Sequence, residues 1–300
     1  MPLSKNKFSL KNDDCELVVT DHGAALISFN YRGIDYLASQ FSPYVIEASQ
    51  GQLLCPWPNR IKNGTYEHLG TKFQLPINEV EKRNAIHGLI RWNLFQVINL
   101  DHNGIEMTSV VIPQQGYVYE LKVKVKFELL EFGFKVLTEV SNESDFPAPF
   151  GMGWHPYFNV SEDGIDSCYL QIKADSFYET DPNMIPVKLQ SVIDSDFDFR
   201  QSKPIAGTIF DTCYTNFDNE AVRAILWNKD SDRQLRLFAD NMFGQLMVYS
   251  GDTLKNSRLR RRSIAMEPMT CPADAFNSKS GLILIESHQS VSGEWGISLT

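Results

Sequence analysis

"YELKVKVKFELL", residues 119–130, decides the fold class. Leu121, Val123, Val125 and Phe127 alternate with Lys122, Lys124, Lys126 and Glu128. A period of two sends one set to a core and the other to solvent, so the stretch predicts a half-buried, antiparallel strand. "FGFKVLTEVSN" (132–142) follows a tight turn at Gly133 and forms its hairpin partner. "AVRAILWN" (221–228) and "RQLRLFAD" (233–240) repeat the arrangement around "KDSD" (229–232). "CELVVTDHGAALISFNYRGIDYLA" (15–38) gives two or three short strands broken at Gly23 and at Arg32-Gly33. "GQLMVYSG" (244–251), "SIAMEP" (263–268) and "GLILIESHQSVSGEWGISL" (281–299) supply the last strands.

No long apolar stripe of helical period is visible, so helices are expected to be few and short. The Pro-, Ser- and Asp-rich stretch 181–208 is expected to be a long loop excursion. There are no repeats and no convincing linker. The prediction is an all-β chain: a large antiparallel β-sandwich forming one domain over residues 1–300, with function carried by a sheet face and its loops.

Composition narrows the function classes. A net charge of −9 opposes a chain built to hold nucleic acid, whose phosphates call for a basic surface. No apolar run approaches the ~20 residues of a helical membrane span. The opening "MPLSKNKFSLKNDDCEL" lacks an apolar secretory core. Cys15, Cys55, Cys168, Cys213 and Cys271 are odd in number, scattered and free of any CxxC pair, which fits reduced thiols in a cytoplasm. The expectation is a cytoplasmic protein, monomer or homodimer, with no nucleic-acid or membrane partner.

Four stretches carry chemically useful groups. In "CPWPNRIKNGTYEHLG" (55–70), two prolines stiffen the approach to Asn59-Arg60. A fixed guanidinium there can donate to ligand oxygens, although a surface arginine capping a turn is the plainer reading. In "NAIHGLIRWNLF" (84–95), His87 precedes a glycine that allows close approach, and Trp92 and Phe95 offer an apolar wall for a sugar ring. A structural histidine is the plainer reading of His87. "GMGWHPYFNV" (151–160) presents His155, and "SIAMEPMTCPADAFNS" (263–278) presents Glu267. Both residues precede proline, which drives each backbone into the extended region and reduces its freedom. Restriction of that kind suits an acid–base pair, though X-Pro can equally mark a strand end.

The remaining groups read more plainly. Asp274 suits a turn or a helix N-cap. Cys271 has no neighbouring cation to activate it as a nucleophile. Arg258 and Arg260–Arg262 suit a solvated loop, or contact with an anionic substituent on a substrate. No phosphate-binding P-loop and no nucleophile elbow occurs. Two histidines with Asp211 or Glu267 would make a two-His, one-carboxylate metal set, but these residues are far apart in the chain, unlike compact HxH or HExxH motifs. No metal and no cofactor is expected.

Taken in order, "NRIKNGTY", "IHGLIRW", "WHPYFNV", "IFDTCYTN" and "AMEPMTCPADAFN" resemble segments of the aldose 1-epimerases, the galactose mutarotase family. The resemblance runs along almost the whole chain. It implies a sandwich of large antiparallel sheets with the sugar in an open cleft, and interconversion of α- and β-anomers of free aldoses without metal or nucleotide. By the same resemblance Glu267 matches the general base and His155 the general acid. His87, Arg60 and Asp211 match the groups that hold sugar hydroxyls and the ring oxygen. Pro-Met-Thr after Glu267, the neighbours of His155 and "CPWPN" depart from the galactose enzymes, as in a divergent, bacterial-type branch. An anionic hexose, phosphorylated or sulfonated, is the alternative substrate. A non-catalytic carbohydrate-binding protein on the same fold is the alternative class.

Overall fold

Leu121, Val123, Val125 and Phe127 are fully buried while Lys122 faces solvent, as the alternation requires. In a computed structural model describing residues 6–38, 46–102, 104–218 and 220–299, strand Leu121–Leu130 pairs antiparallel with Gly133–Asn142. The first five positions of the opening segment lie outside the described residues. This hairpin sits within a nine-stranded antiparallel sheet. Its order is Gln96–Leu100, Gly104–Val111, Leu121–Leu130, Gly133–Asn142, Ser290–Leu299, Arg233–Ala239, Val222–Asn228, Tyr169–Ile172 and Lys203–Pro204.

A second, eight-stranded sheet runs Pro186–Ser191, Ala174–Thr180, Asp211–Phe217, Gln245–Tyr249, Ile264–Met269, Gly153–Trp154 and Leu53–Leu54, with Tyr157–Phe158 also paired to Ile264–Met269. The two sheets bury their facing sides together. Trp154 of the second sheet lies 5.7 Å from Phe127 and 5.9 Å from Trp295 of the first, ring centroid to ring centroid. The chain is therefore an all-β antiparallel sandwich. Its one α-helical segment among the described residues is Ala275–Ser278. No helix there is long and apolar enough to cross a membrane.

The stretch 181–208 departs from the expected loop. Pro186–Ser191 is an edge strand paired with Ala174–Thr180, and Lys203–Pro204 pairs with Tyr169–Ile172. Val187 and Leu189 are both exposed, so no buried face imprints an alternation on the sequence.

What matters for function is the division of labour within the second sheet. Tyr214, Leu246, Val248, Ile264 and Met266 point into the common core. The alternate positions Asp211, Met247, Tyr249 and Glu267 point the other way, into an open cavity.

Candidate active site

Strand Ile264–Met269 is buried at all six positions, and Glu267 stands opposite Met247 of the neighbouring strand. On its other side the pairing is interrupted. Gly153 pairs with Met269 and Tyr157 with Ala265. Residues 154–156 and 266–268 fill the gap on the two sides, which sets His155 across from Glu267 in register. The His155 peptide turns instead to the segment beyond it, donating to Gln52 O at 3.2 Å and accepting from Gly51 N at 2.8 Å. Pro156 and Pro268 both fall in this gap and carry no N–H to leave unsatisfied. Gly153 makes the close approach feasible, because a Cβ there would come within 3.0 Å of Pro58 Cβ and 3.1 Å of Pro268 O.

The side chains meet. His155 Nε2 lies 3.3 Å from Glu267 Oε1, with both side chains almost completely buried. The imidazole stacks on Tyr157, with 5.0 Å between ring centroids, and meets the His87 ring edge-on at 5.4 Å. Three buried polar atoms of this group, His155 Nδ1, His87 Nδ1 and Glu267 Oε2, have no hydrogen-bond partner among the described residues. Buried polar atoms without partners are costly and rare, so they mark the cavity as a place for a polar guest.

Electrostatics follow from burial. Desolvation pushes the Glu267 carboxyl well above the ordinary carboxylate range, Asp211 adds to this, and Arg60 opposes it. Desolvation pulls His155 down to about 3, and the Arg91 and Arg60 charges act in the same sense. His87 is lowered well below its usual value, again chiefly by desolvation. Asp211 is raised by burial against the pull of Arg60. Burial thus favours a carboxyl–imidazole pair that holds one proton in total over pairs that hold none or two.

All five residues singled out in the sequence line this one cavity of about 710 Å³: Arg60, His87, His155, Asp211 and Glu267. Arg60 is no exposed turn cap. Only 8% exposed, it lies on the short strand Arg60–Ile61 paired with Ala85–Ile86. Its Nη1 donates to Asn59 Oδ1, and its Nε and Nη2 donate to Glu79. The backbone N–H of His87 donates to Asn59 O at 2.8 Å, locking the arginine and histidine segments together. Gly88, at φ +68°, lies against the Cys55 backbone, where a Cβ would meet Cys55 O at 2.2 Å.

Other expectations resolve differently. Trp92 stands at the cavity rim, 64% exposed, whereas Phe95 belongs to the buried core and forms no part of the wall. Arg258 and Arg260–Arg262 are absent from the cavity lining. Arg260 donates to Leu254 O, Arg261 bridges Asp166 and Asp252, and Arg262 donates to Glu162 O, so these arginines tie loops together. Asp274 makes a turn, accepting from Lys62 N and Asn277 Nδ2, without a side-chain cap on Ala275–Ser278. Cys271 is buried, with its thiol pushed up to about 12 by desolvation. Among the described residues no cluster of three or more His, Cys, Asp or Glu is arranged to hold a metal ion. Glu79, which no sequence motif singles out, also lines the cavity, as does Arg91 of the "IHGLIRW" segment. Glu79 sits in the charge run "EVEKR" (79–83), which reads as a solvated turn.

Comparison with known proteins converges on one family. Residues 6–298 match the family model for aldose 1-epimerase. The chain is similar to the uncharacterized Escherichia coli (strain K12) protein YihR, 32% identical over 288 residues, covering 96% of this chain and 91% of that one. In fold it is similar to a GalM/aldose epimerase homologue from C. elegans, with a TM-score of 0.88 at 18% identity over 98% of both chains. It is likewise similar to a galactose 1-epimerase from Lactobacillus acidophilus NCFM, with a TM-score of 0.84 at 21% identity over 98% of this chain and 94% of that one. On the match along nearly its whole length, the chain belongs to the aldose 1-epimerase family.

Proposed function

We propose that the protein is a mutarotase: it interconverts the α- and β-anomers of a free aldohexose, with Glu267 as general base and His155 as general acid. The observation that carries this reading is the 3.3 Å contact between His155 Nε2 and Glu267 Oε1 inside an open polar cavity. The two sugar oxygens that exchange protons, the anomeric hydroxyl and the ring oxygen, are bonded to the same carbon. An acid and a base one hydrogen-bond length apart suit that separation.

The step balances within the sugar and the pair. Glu267 takes the proton of the C1 hydroxyl as His155 delivers its proton to the ring oxygen. The bond from C1 to the ring oxygen breaks and C1 becomes an aldehyde carbon. Rotation about the C1–C2 bond presents the other carbonyl face. The C5 hydroxyl adds to it, returning its proton to His155, while Glu267 returns its own to the C1 oxygen. The pair begins and ends with the same single proton. Burial favours that proton on the carboxyl, and the ion pair differs only by moving it along the contact. Positioned general acid and base groups typically contribute ~10²–10⁴-fold.

Arg60, His87 and Asp211 hold hydroxyls of the ring, and the exposed face of Trp92 gives the rim an apolar surface on which a sugar can stack. Exchange spectroscopy of the anomeric protons tests this reading. It predicts α-to-β exchange peaks for a neutral hexose with enzyme at mixing times that give none without it. Binding without exchange would favour a non-catalytic carbohydrate-binding protein.

A second reading, an anionic hexose, is favoured by Arg91. This cavity-lining guanidinium donates to Ser49 Oγ, forms no ion pair among the described residues, and is lowered to about 10 by desolvation. A phosphate or sulfonate would supply the missing charge. Rates on a hexose and on its 6-phosphate, compared in wild type and Arg91→Gln, separate the two readings.

A further inference from the structure

Glu79 lines the cavity and takes no part in the scheme above. Its carboxylate accepts from Arg60 twice, Nε to Oε2 and Nη2 to Oε1, both at 2.9 Å. It accepts once more from Asn84 Nδ2 at 3.1 Å, and Lys82 Nζ lies 4.0 Å away. Asn84 is itself 1% exposed, donates through the same Nδ2 to Asn183 O, and exchanges backbone hydrogen bonds with Glu79. The carboxylate is therefore fixed from both sides.

The donor count of Arg60 shows what this arrangement does. A guanidinium has five N–H groups. Glu79 takes two and Asn59 takes one, which leaves one on Nη1 and one on Nη2. Two parallel bonds to one carboxylate fix the plane of the group as well as its place. Largely buried ion pairs seldom add stability, because desolvation offsets their attraction, so one built into a cavity wall calls for another explanation. Proton transfer is not that explanation. Burial alone would raise Glu79, but the Arg60 bonds outweigh it and keep the carboxyl below its ordinary value, with both oxygens occupied.

We propose that Glu79 is the positioning residue for Arg60: it locks the guanidinium so that the two remaining N–H groups serve sugar oxygens, and its charge offsets the cation beside Asp211 and Glu267. This rests on the reading of Arg60 as a sugar-binding group.

The test uses the full chain with Glu79→Gln, Glu79→Asp, Arg60→Ala and the Arg60→Ala/Glu79→Gln double variant. Glucose and galactose are the probes, with calorimetry for affinity and polarimetry for rate. Glu79→Gln should raise KM about tenfold, the loss expected for one charge-assisted pair, with kcat changed far less. It should also move the alkaline limb of the pH profile downward, since the uncompensated Arg60 charge helps Glu267 ionise. Glu79→Asp keeps the charge and shortens the reach, so KM should rise while the limb stays in place. In the Arg60→Ala background, Glu79→Gln should change KM less than twofold, because its route of action is gone.

Wild-type KM and pH profile in Glu79→Gln, or an undiminished effect in the Arg60→Ala background, overturn the proposal. A parallel fall in kcat and thermal stability with an unmoved limb overturns it too, since a merely structural residue would give that result. Should the wild type bind sugar without exchanging anomers, the mutarotase reading fails alone. Weaker calorimetric binding by Glu79→Gln then still supports the positioning role, and unchanged affinity overturns it. No sugar binding by the wild type overturns both.

Discussion

His155 faces Glu267 across an unpaired gap between two antiparallel segments, Nε2 to Oε1 at 3.3 Å, with Gly153–Met269 pairing at one end of the gap and Tyr157–Ala265 at the other. The relationship is a matter of sheet register, and register in a buried sheet is strongly specified. The His155–Glu267 pair therefore inherits its geometry from the core packing of Trp154, Ile264 and Met266 on the opposite face.

Burial of this pair sets the pH dependence. In the proposed mechanism the working state holds one proton. Gaining a second requires protonating His155, lowered to about 3, and losing the one requires ionising Glu267, raised well above the carboxylate range. The rate kcat/KM should therefore stay level through the ordinary imidazole value of about 6.5, with no break there. A pH–rate profile checks this, and a half-loss centred near 6.5 would mean the imidazole titrates as if exposed.

Glu267 also leaves a mark on stability. Its folded pKa lies above the unfolded value of about 4.3, so within that window the folded chain binds more protons than the unfolded chain. Stability from this group is complete below about pH 4 and falls as pH rises toward the folded pKa. Glu267→Gln removes the effect. Its melting temperature should exceed that of wild type at pH 7 and match it near pH 4, as calorimetric scans at the two pH values would show.

Gly153 should tolerate no side chain. An added Cβ would press on Pro58 Cβ at 3.0 Å and Pro268 O at 3.1 Å, and neither is the free end of a flexible group. Gly153→Ala should lose about 1–3 kcal/mol of stability by overpacking. Because the strain falls two residues from His155, kcat should drop by tenfold or more in the fraction that stays folded. Denaturant unfolding and polarimetry on one preparation measure both.

Arg60 should resist conservative replacement. Lysine keeps the charge but cannot make two parallel bonds to Glu79 while reaching Asn59 Oδ1. Arg60→Lys should weaken sugar binding by about tenfold, read by calorimetry. Wild-type affinity in this variant would show that charge alone is enough.

Much of this was legible in the sequence, and the exceptions share a cause. The period of two announced the strands because one face of each packs on a core, as in Leu121–Phe127. Pro186–Ser191 escaped because it is an edge strand with no buried face. The five cavity groups could be named one by one, yet their convergence depends on sheet order, which no local pattern records. Glu79 was hidden because Glu79, Glu81, Lys82 and Arg83 look alike as a charge run, and only the fold turns one of them onto Arg60. Phe95 was placed on the cleft wall for its aromatic character and lies in the core for the same reason.

The roles of His155 and Glu267 are tested most directly by polarimetry of freshly dissolved α-glucose and α-galactose with the wild type, Glu267→Gln and His155→Asn. The wild type should relax at least one sugar well above the uncatalysed rate. Each variant should fall by about 10²–10⁴-fold while remaining folded. Relaxation at the wild-type rate in both folded variants would contradict the roles given to His155 and Glu267.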